Sequence, residues 1–176
     1  MKKVQILLST YNGERFIREQ LDSILDQDYL NIAILIRDDG STDKTPLILE
    51  EYADKYKNIT YYQGENIGVI QSFFNLMKNA DISADYYSLS DQDDWWIKGK
   101  ITRAVKQLDS MNRDKPLLYC GRTTLVDQNL KPLNVKMKPY KINPDFGNAL
   151  VENICTGCTT VINRNLLQLI QDHIPH

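Results

Sequence analysis

The chain has 176 residues, 42% of them apolar and 25% charged, and its 21 lysines and arginines against 23 aspartates and glutamates leave a formal net charge of -2. That length suits one domain with a sizeable core, and the absence of a basic excess argues against a general nucleic-acid binder. No apolar run approaches the roughly 20 residues of a membrane span, and Met1-Lys2-Lys3 leads directly into a strand-like run with no signal-peptide pattern, so the expected address is the cytoplasm.

Apolar runs that end in turn or polar residues alternate with amphipathic stretches, the pattern of an α/β domain with a largely parallel sheet. Val4 to Ser9 predicts a first strand that ends at Thr10-Tyr11-Asn12-Gly13. Phe16, Ile17, Gln20, Leu21, Ile24 and Leu25 then recur at helical spacing, with Asn12 as a suitable cap. Ile32 to Ile36 predicts a second strand, which delivers Arg37-Asp38-Asp39-Gly40-Ser41-Thr42-Asp43. Thr45-Pro46 reads as a cap followed by proline in the first helical position, and Ile48, Glu51 and Tyr52 continue that helix.

Ile59 to Tyr62 is a third strand leading into Gly64-Glu65-Asn66-Ile67-Gly68, and a helix follows through Val69, Ile70, Phe73, Phe74 and Met77 with its apolar stripe toward the core. Tyr86 to Leu89 is the fourth strand, and it runs into Ser90-Asp91-Gln92-Asp93-Asp94-Trp95-Trp96. Ile101, Ala104, Val105, Leu108 and Met111 mark another helix and Leu117 to Cys120 another strand. From Arg122 to Leu150 periodicity weakens, interrupted by Pro132, Pro139 and Pro144 and enriched in Lys131, Lys136, Lys138 and Lys141. Such a stretch suits a binding loop or lid as well as a surface excursion. Its lysines suit a solvated basic loop, or one that meets an anionic membrane surface or a lipid-linked acceptor. Thr159 to Ile162 and a helix through Leu166, Leu167 and Ile170 close the pattern.

Cys120, Cys155 and Cys158 are an odd number in a chain without a secretory signal, so no disulfide framework is expected. Cys155-Thr156-Gly157-Cys158 spells C-x-x-C, but no second ligand pair stands at zinc-site spacing, and packing is the expected role of these thiols.

In an open parallel sheet, ligands sit beyond the carboxyl ends of the strands. Four polar clusters fall at that edge, after each of the first four strands: Thr10 to Glu14, Asp38 to Asp43, Asn66 to Gly68 and Asp91 to Asp94. Three carboxylates within four residues repel one another unless a cation or donor-rich ligand joins them. Carboxylate oxygens are the hard ligands that Mg²⁺ or Mn²⁺ prefers, and Asp91-x-Asp93 places alternate residues on one side of an extended turn. With such an ion the acids hold a nucleotide diphosphate; without it they repel one. Neither the Gly-x-x-x-x-Gly-Lys phosphate loop nor the Gly-x-Gly-x-x-Gly fingerprint is present.

Leu8-Ser9-Thr10-Tyr11-Asn12-Gly13, Arg37 to Asp43, Asn66-Ile67-Gly68 and Ser90 to Trp95 through Lys100 resemble, in order and spacing, the family 2 inverting glycosyltransferases. The Asp-Gln-Asp-Asp-Trp-Trp version, with Asn153 to Thr159, is most similar to the bacterial rhamnosyltransferase-type branch. The resemblance implies a GT-A fold, a Rossmann-like α/β sandwich with a mainly parallel central sheet, and a single domain over 1–176. Its donor half would span 1–121 and the start of an incomplete acceptor half 122–176.

By the same resemblance Asp39 would accept the imide N–H of uracil or thymine, and Tyr11 would pack on base or ribose with Thr10, Asn12 and Glu14 around it. Asp93 would ligate the metal, Asp91 would support it or touch the ribose, and Asp94 would stand behind them or start a helix. Turn capping is an equal account of Asp38 and Asn12. Trp95 and Trp96 suit sugar stacking and core packing alike, and Trp95, Asn153 and Gly157 are candidates for the acceptor side. The reaction implied is in-line displacement at the anomeric carbon of a UDP- or dTDP-sugar, dTDP-rhamnose among them. The acceptor would be a glycan or lipid-linked hydroxyl deprotonated by an aspartate, in bacterial surface polysaccharide synthesis at the inner membrane face. After Glu152 only Asp172 remains, so the base is expected beyond His176, with the chain a piece of a longer transferase. A metal-dependent nucleotidyltransferase is the competing enzyme, disfavoured by the acidic Thr10 to Glu14 turn. A sugar-nucleotide-binding domain without catalysis is the non-enzyme alternative.

Overall fold

In the computed structural model, which describes residues 1–127, 129–133 and 155–174, β1 (Val4–Thr10) is the strand on which the others assemble. All seven of its residues are buried, because both faces of the sheet are covered. That is why it reads as a nearly continuous apolar run rather than an alternating one. β2 (Ile32–Asp38) pairs with it in parallel on one side and β4 (Tyr86–Ser90) on the other. β3 (Ile59–Gln63) extends the sheet beyond β2, also in parallel.

On the far side of β4 the direction changes. β6 (Thr160–Asn163) is antiparallel to β4 and to β5 (Leu118–Cys120), giving the order β3-β2-β1-β4-β6-β5. β6 therefore inserts between two strands that precede it by some 40 and 70 residues, joining the last part of the chain to the same sheet. Among the described residues no helix is long and apolar enough to cross a membrane.

The helices divide between the two faces. α1 (Ile17–Leu25), α2 (Thr45–Lys55) and α4 (Lys100–Asp109) cover the face reached by Val4, Ile6 and Leu8, where Ile17, Leu21, Leu49, Ile101 and Leu108 are fully buried. α3 (Val69–Lys78) and α5 (Arg164–Asp172) cover the other face, where Leu7 meets Leu76, Tyr87 and Leu167. Each such side chain contributes about 1.5–3 kcal/mol on burial. Alternation along β1 thus decides which helix each residue touches.

Three local expectations turn out otherwise. Asn12 does not cap α1, whose N-terminal flanking residue is Phe16 and carries no side-chain cap; Asn12 Oδ1 instead accepts from Thr42 N at 2.9 Å. Pro46 falls at the second residue of α2, after Thr45, whose backbone N–H is taken by Asp43. The stripe of α3 is only partly core: Leu76 and Met77 are buried, but Val69 and Ile70 are 60% and 67% exposed.

Candidate active site

The carboxyl ends of β1, β2 and β4 open into a cavity of about 440 Å³. Thr10 and Tyr11 wall it from β1, Asp39 from β2, and Asp91, Gln92 and Asp93 from β4. Asn66, Gly68 and Val69 supply the remaining wall, so the exposed apolar start of α3 faces the cavity rather than the core. Four separate turns meet here because the parallel strands end at one edge.

Asp39, 2% exposed, is held on three sides. Its Oδ1 accepts from Arg37 Nη1 and from Ile67 N (3.0 Å), and its Oδ2 from Gly68 N at 2.9 Å. A carboxylate oxygen has two acceptor positions, so Oδ2 keeps one for a ligand N–H. Arg37 is itself 3% exposed and also donates to Ser72 Oγ and Glu65 O. Gly64 permits this, since a Cβ there would lie 2.6 Å from Arg37 Nη2. Asp38, fully buried beside it, is held by Ser41, and desolvation pushes its carboxyl above the usual range.

Gln92 ties the β4 loop to the β1 loop: its Oε1 accepts from Thr10 Oγ1 (2.7 Å) and Tyr11 N (2.9 Å). Gly13 lies against the same atom, and a Cβ there would approach it to 2.5 Å. The Tyr11 ring, 45% exposed, is left facing outward beside Asp39, as a stacking surface requires. Asn12 and Glu14 differ from expectation. Neither lines the cavity: Asn12 binds the Thr42 amide and Glu14 Oε2 the Lys44 amide at 2.9 Å, so both serve the turn after β2. Arg37, Ser72 and Gln92 are the positioning residues that sequence reading misses. Only their place next to recognised motif residues hints at them.

The acidic loop is arranged differently from a D-x-D pair. Asp91, Asp94 and Cys158 bring their ligand atoms within 4.8 Å of one another, whereas Asp93 is exposed at the cavity wall. The turn after β4 sends Asp94 back toward the 3₁₀ turn Gly157–Thr159, which abuts β4. Burial, reinforced by neighbouring acids, pushes the Asp91 and Asp94 carboxyls up. The Cys158 thiol hydrogen-bonds Asp94 and is raised to about 12, first by burial and then by that acid. Asp94 Oδ2 is buried with no partner among the described residues. Two half-buried carboxylates, one with an unpartnered oxygen, fit a divalent cation.

Lys100 sits behind this group, its Nζ 3.0 Å from the centre of the Trp96 ring. Burial lowers its ammonium to about 7, while Cys158 and Asp94 act in the opposite sense. Trp96 is therefore core, at 4% exposure, and Trp95 is surface, at 47%. Gly157 lies in the 3₁₀ turn with open space at its Cβ position. Asn153, Glu152 and His176 lie outside the described residues. The C-x-x-C thiols serve different neighbours, Cys158 with Asp94 and Cys155 with Cys120, whose sulfurs are 3.1 Å apart.

Comparison with known proteins agrees with this geometry. The uncharacterized glycosyltransferase RT0329 of Rickettsia typhi is 32% identical over 177 residues, covering 95% of this chain and 52% of that protein. The dTDP-rhamnosyl transferase RfbG of Shigella flexneri is 40% identical over 131 residues, 69% of this chain and 45% of RfbG. The crystal structure of S. aureus TarS 1-349 matches 98% of this chain and 50% of that one with a TM-score of 0.69 at 22% identity. Its complex with UDP-GlcNAc matches 61% and 31% with a TM-score of 0.56 at 29% identity. The chain thus spans about half the length of the curated relatives it matches. The family model described as Glycosyl transferase family 2 matches residues 5–170, and with its mainly parallel GT-A sheet the chain belongs to that family.

Proposed function

We propose that the chain is the donor-binding part of an inverting, metal-dependent glycosyltransferase that takes a sugar from a uridine or thymidine diphosphate. The observation that carries this reading is the single cavity in which Tyr11, Asp39, Asp91 and Asp93 meet. Asp39 offers the free position on Oδ2 to the imide N–H shared by uracil and thymine, while Arg37 and the Ile67 and Gly68 amides hold it in place. Tyr11 packs on the base or ribose, with Thr10 and Gln92 fixing its backbone. Similarity to RfbG favours dTDP-rhamnose as donor, and TarS with UDP-GlcNAc supports the uracil edge.

Asp91 with Asp94 would hold Mg²⁺ or Mn²⁺, and Asp93, free at the wall, would face the same ligand; this shifts the expected Asp91 and Asp93 pair by one residue. Bound there, the ion neutralises the departing diphosphate. The acceptor, a glycan or lipid-linked hydroxyl in surface polysaccharide synthesis at the inner membrane face, would lose its proton to a carboxylate opposite the leaving group. Calorimetric titration of UDP and dTDP with and without Mn²⁺ tests the reading. Binding should strengthen at least tenfold with Mn²⁺, and Asp39→Asn should weaken both nucleotides. Affinity indifferent to Asp39→Asn and to the metal would refute it.

A further inference from the structure

A second cavity, of about 190 Å³, opens on the β6 and β5 side of the 91–94 loop, and Lys100, Arg103 and Arg122 line it. No acid lines it, and among the described residues none of these three cations has a carboxylate within ion-pair distance. Lys100 and Arg103 lie in the first turn of α4, which contains no acidic residue. Cations at that end oppose the helix dipole. Two guanidiniums without carboxylate partners, with the Lys100 amine behind them, give this small cavity a positive lining that a bound anion would relieve.

The lining also fits a particular anion. Arginine presents paired N–H donors that match phosphate oxygens, and Tyr119 adds a hydroxyl at the same wall. The volume accommodates a phosphate or diphosphate. The donor cavity lies across the loop at the ends of β1 and β2. We propose that the Lys100, Arg103 and Arg122 pocket binds the phosphate or diphosphate group of the acceptor. Its naming of an acceptor rests on the transferase reading; the anion site itself does not. A lipid-linked acceptor carrying a diphosphate is the substrate class this selects.

Inorganic pyrophosphate is the probe, titrated calorimetrically without divalent metal. Binding is expected, with at least a tenfold loss in Arg103→Gln/Arg122→Gln and no change in Lys98→Gln, whose exposed cation pairs with Asp26 instead. Both arginines are solvent-accessible, and an unchanged melting temperature shows that the double variant folds. Saturating UDP or dTDP with Mn²⁺ should leave pyrophosphate binding intact. Competition by the nucleotide would give the pocket to the donor's own diphosphate and overturn the acceptor assignment. No metal-free pyrophosphate binding, or equal loss in Lys98→Gln, would overturn the site. Failure of UDP and dTDP to bind in the absence of pyrophosphate would count only against the donor reading.

Discussion

Arg37 and Asp39 show how a candidate recognition residue is prepared at the scale of single side chains. Both are nearly solvent-free, so removing one partner leaves a buried charge without compensation. Arg37→Ala should lower stability by about 3–5 kcal/mol in urea unfolding; a loss below about 1 kcal/mol would mean that water, not Arg37, stabilises Asp39. Lys100 gives a pH signature. Its ammonium falls from 10.5 to about 7 on folding, so between those values the unfolded chain binds more protons and stability must rise with pH. The clean window is pH 7 to about 9, because the raised Cys120 and Cys158 thiols act in the opposite sense above it. Wild type should gain up to about 1.4 kcal/mol per pH unit there, and Lys100→Met should not; parallel pH profiles for the two proteins would place the depressed lysine elsewhere. The motif acids were legible in the sequence at this scale, whereas Arg37 and Lys100 were not. A lone cation beside a turn looks solvated until the fold buries it.

At the scale of elements, the 91–94 loop carries a cost that a ligand can remove. Asp91 and Asp94 are protonated more readily when folded, so their charged forms oppose folding as pH rises above the ordinary carboxylate range. A divalent cation at a hundredfold excess over its dissociation constant should add about 2.7 kcal/mol, or roughly 5–10 °C in melting temperature for a chain of this size. Asp94→Asn should abolish that shift without lowering the metal-free melting temperature, while Asp93→Asn should preserve most of the shift. An undiminished shift in Asp94→Asn would return the metal to the Asp91 and Asp93 pair. Gln92→Ala, which frees the Thr10 hydroxyl and the Tyr11 amide, should weaken nucleotide binding about tenfold, equivalent to the roughly 1.4 kcal/mol of one or two hydrogen bonds. Element positions were largely legible because strand and helix periods were strong. The roles of Asn12, Glu14 and Val69 were not, since a residue at an element's end answers to whatever neighbouring loop the sheet brings alongside it. For Asn12 and Glu14 that loop is the turn after β2.

At the scale of the whole molecule, parallel strands ending at one edge made the candidate site legible: the four polar turns could be assigned to one edge from strand order alone. The β6 and β5 edge was not legible, because β6 runs antiparallel and enters between β4 and β5 from far along the chain. That topology also bears on the base. Asp109 accepts from Tyr86 at the amino end of β4, away from the cavity, and Asp127 accepts from the amides of Asn129 and Lys131. Asp172 follows Gln171, which donates to Met77 O near the carboxyl end of α3, at the opposite edge of the sheet from the cavity. Among the described residues, then, no carboxylate later than Asp94 lines the cavity. We therefore expect the base to lie outside the described residues, where Asp145 and Glu152 are candidates, and its removal to slow sugar transfer at least a hundredfold, a loss within the roughly 10²–10⁴ that a general base contributes. Release of nucleoside diphosphate from dTDP-rhamnose, measured with and without acceptor, checks this. Asp145→Asn or Glu152→Gln, rather than Asp172→Asn, should abolish transfer, since Asp172 stands at the wrong edge; an undiminished rate in both would place the base elsewhere.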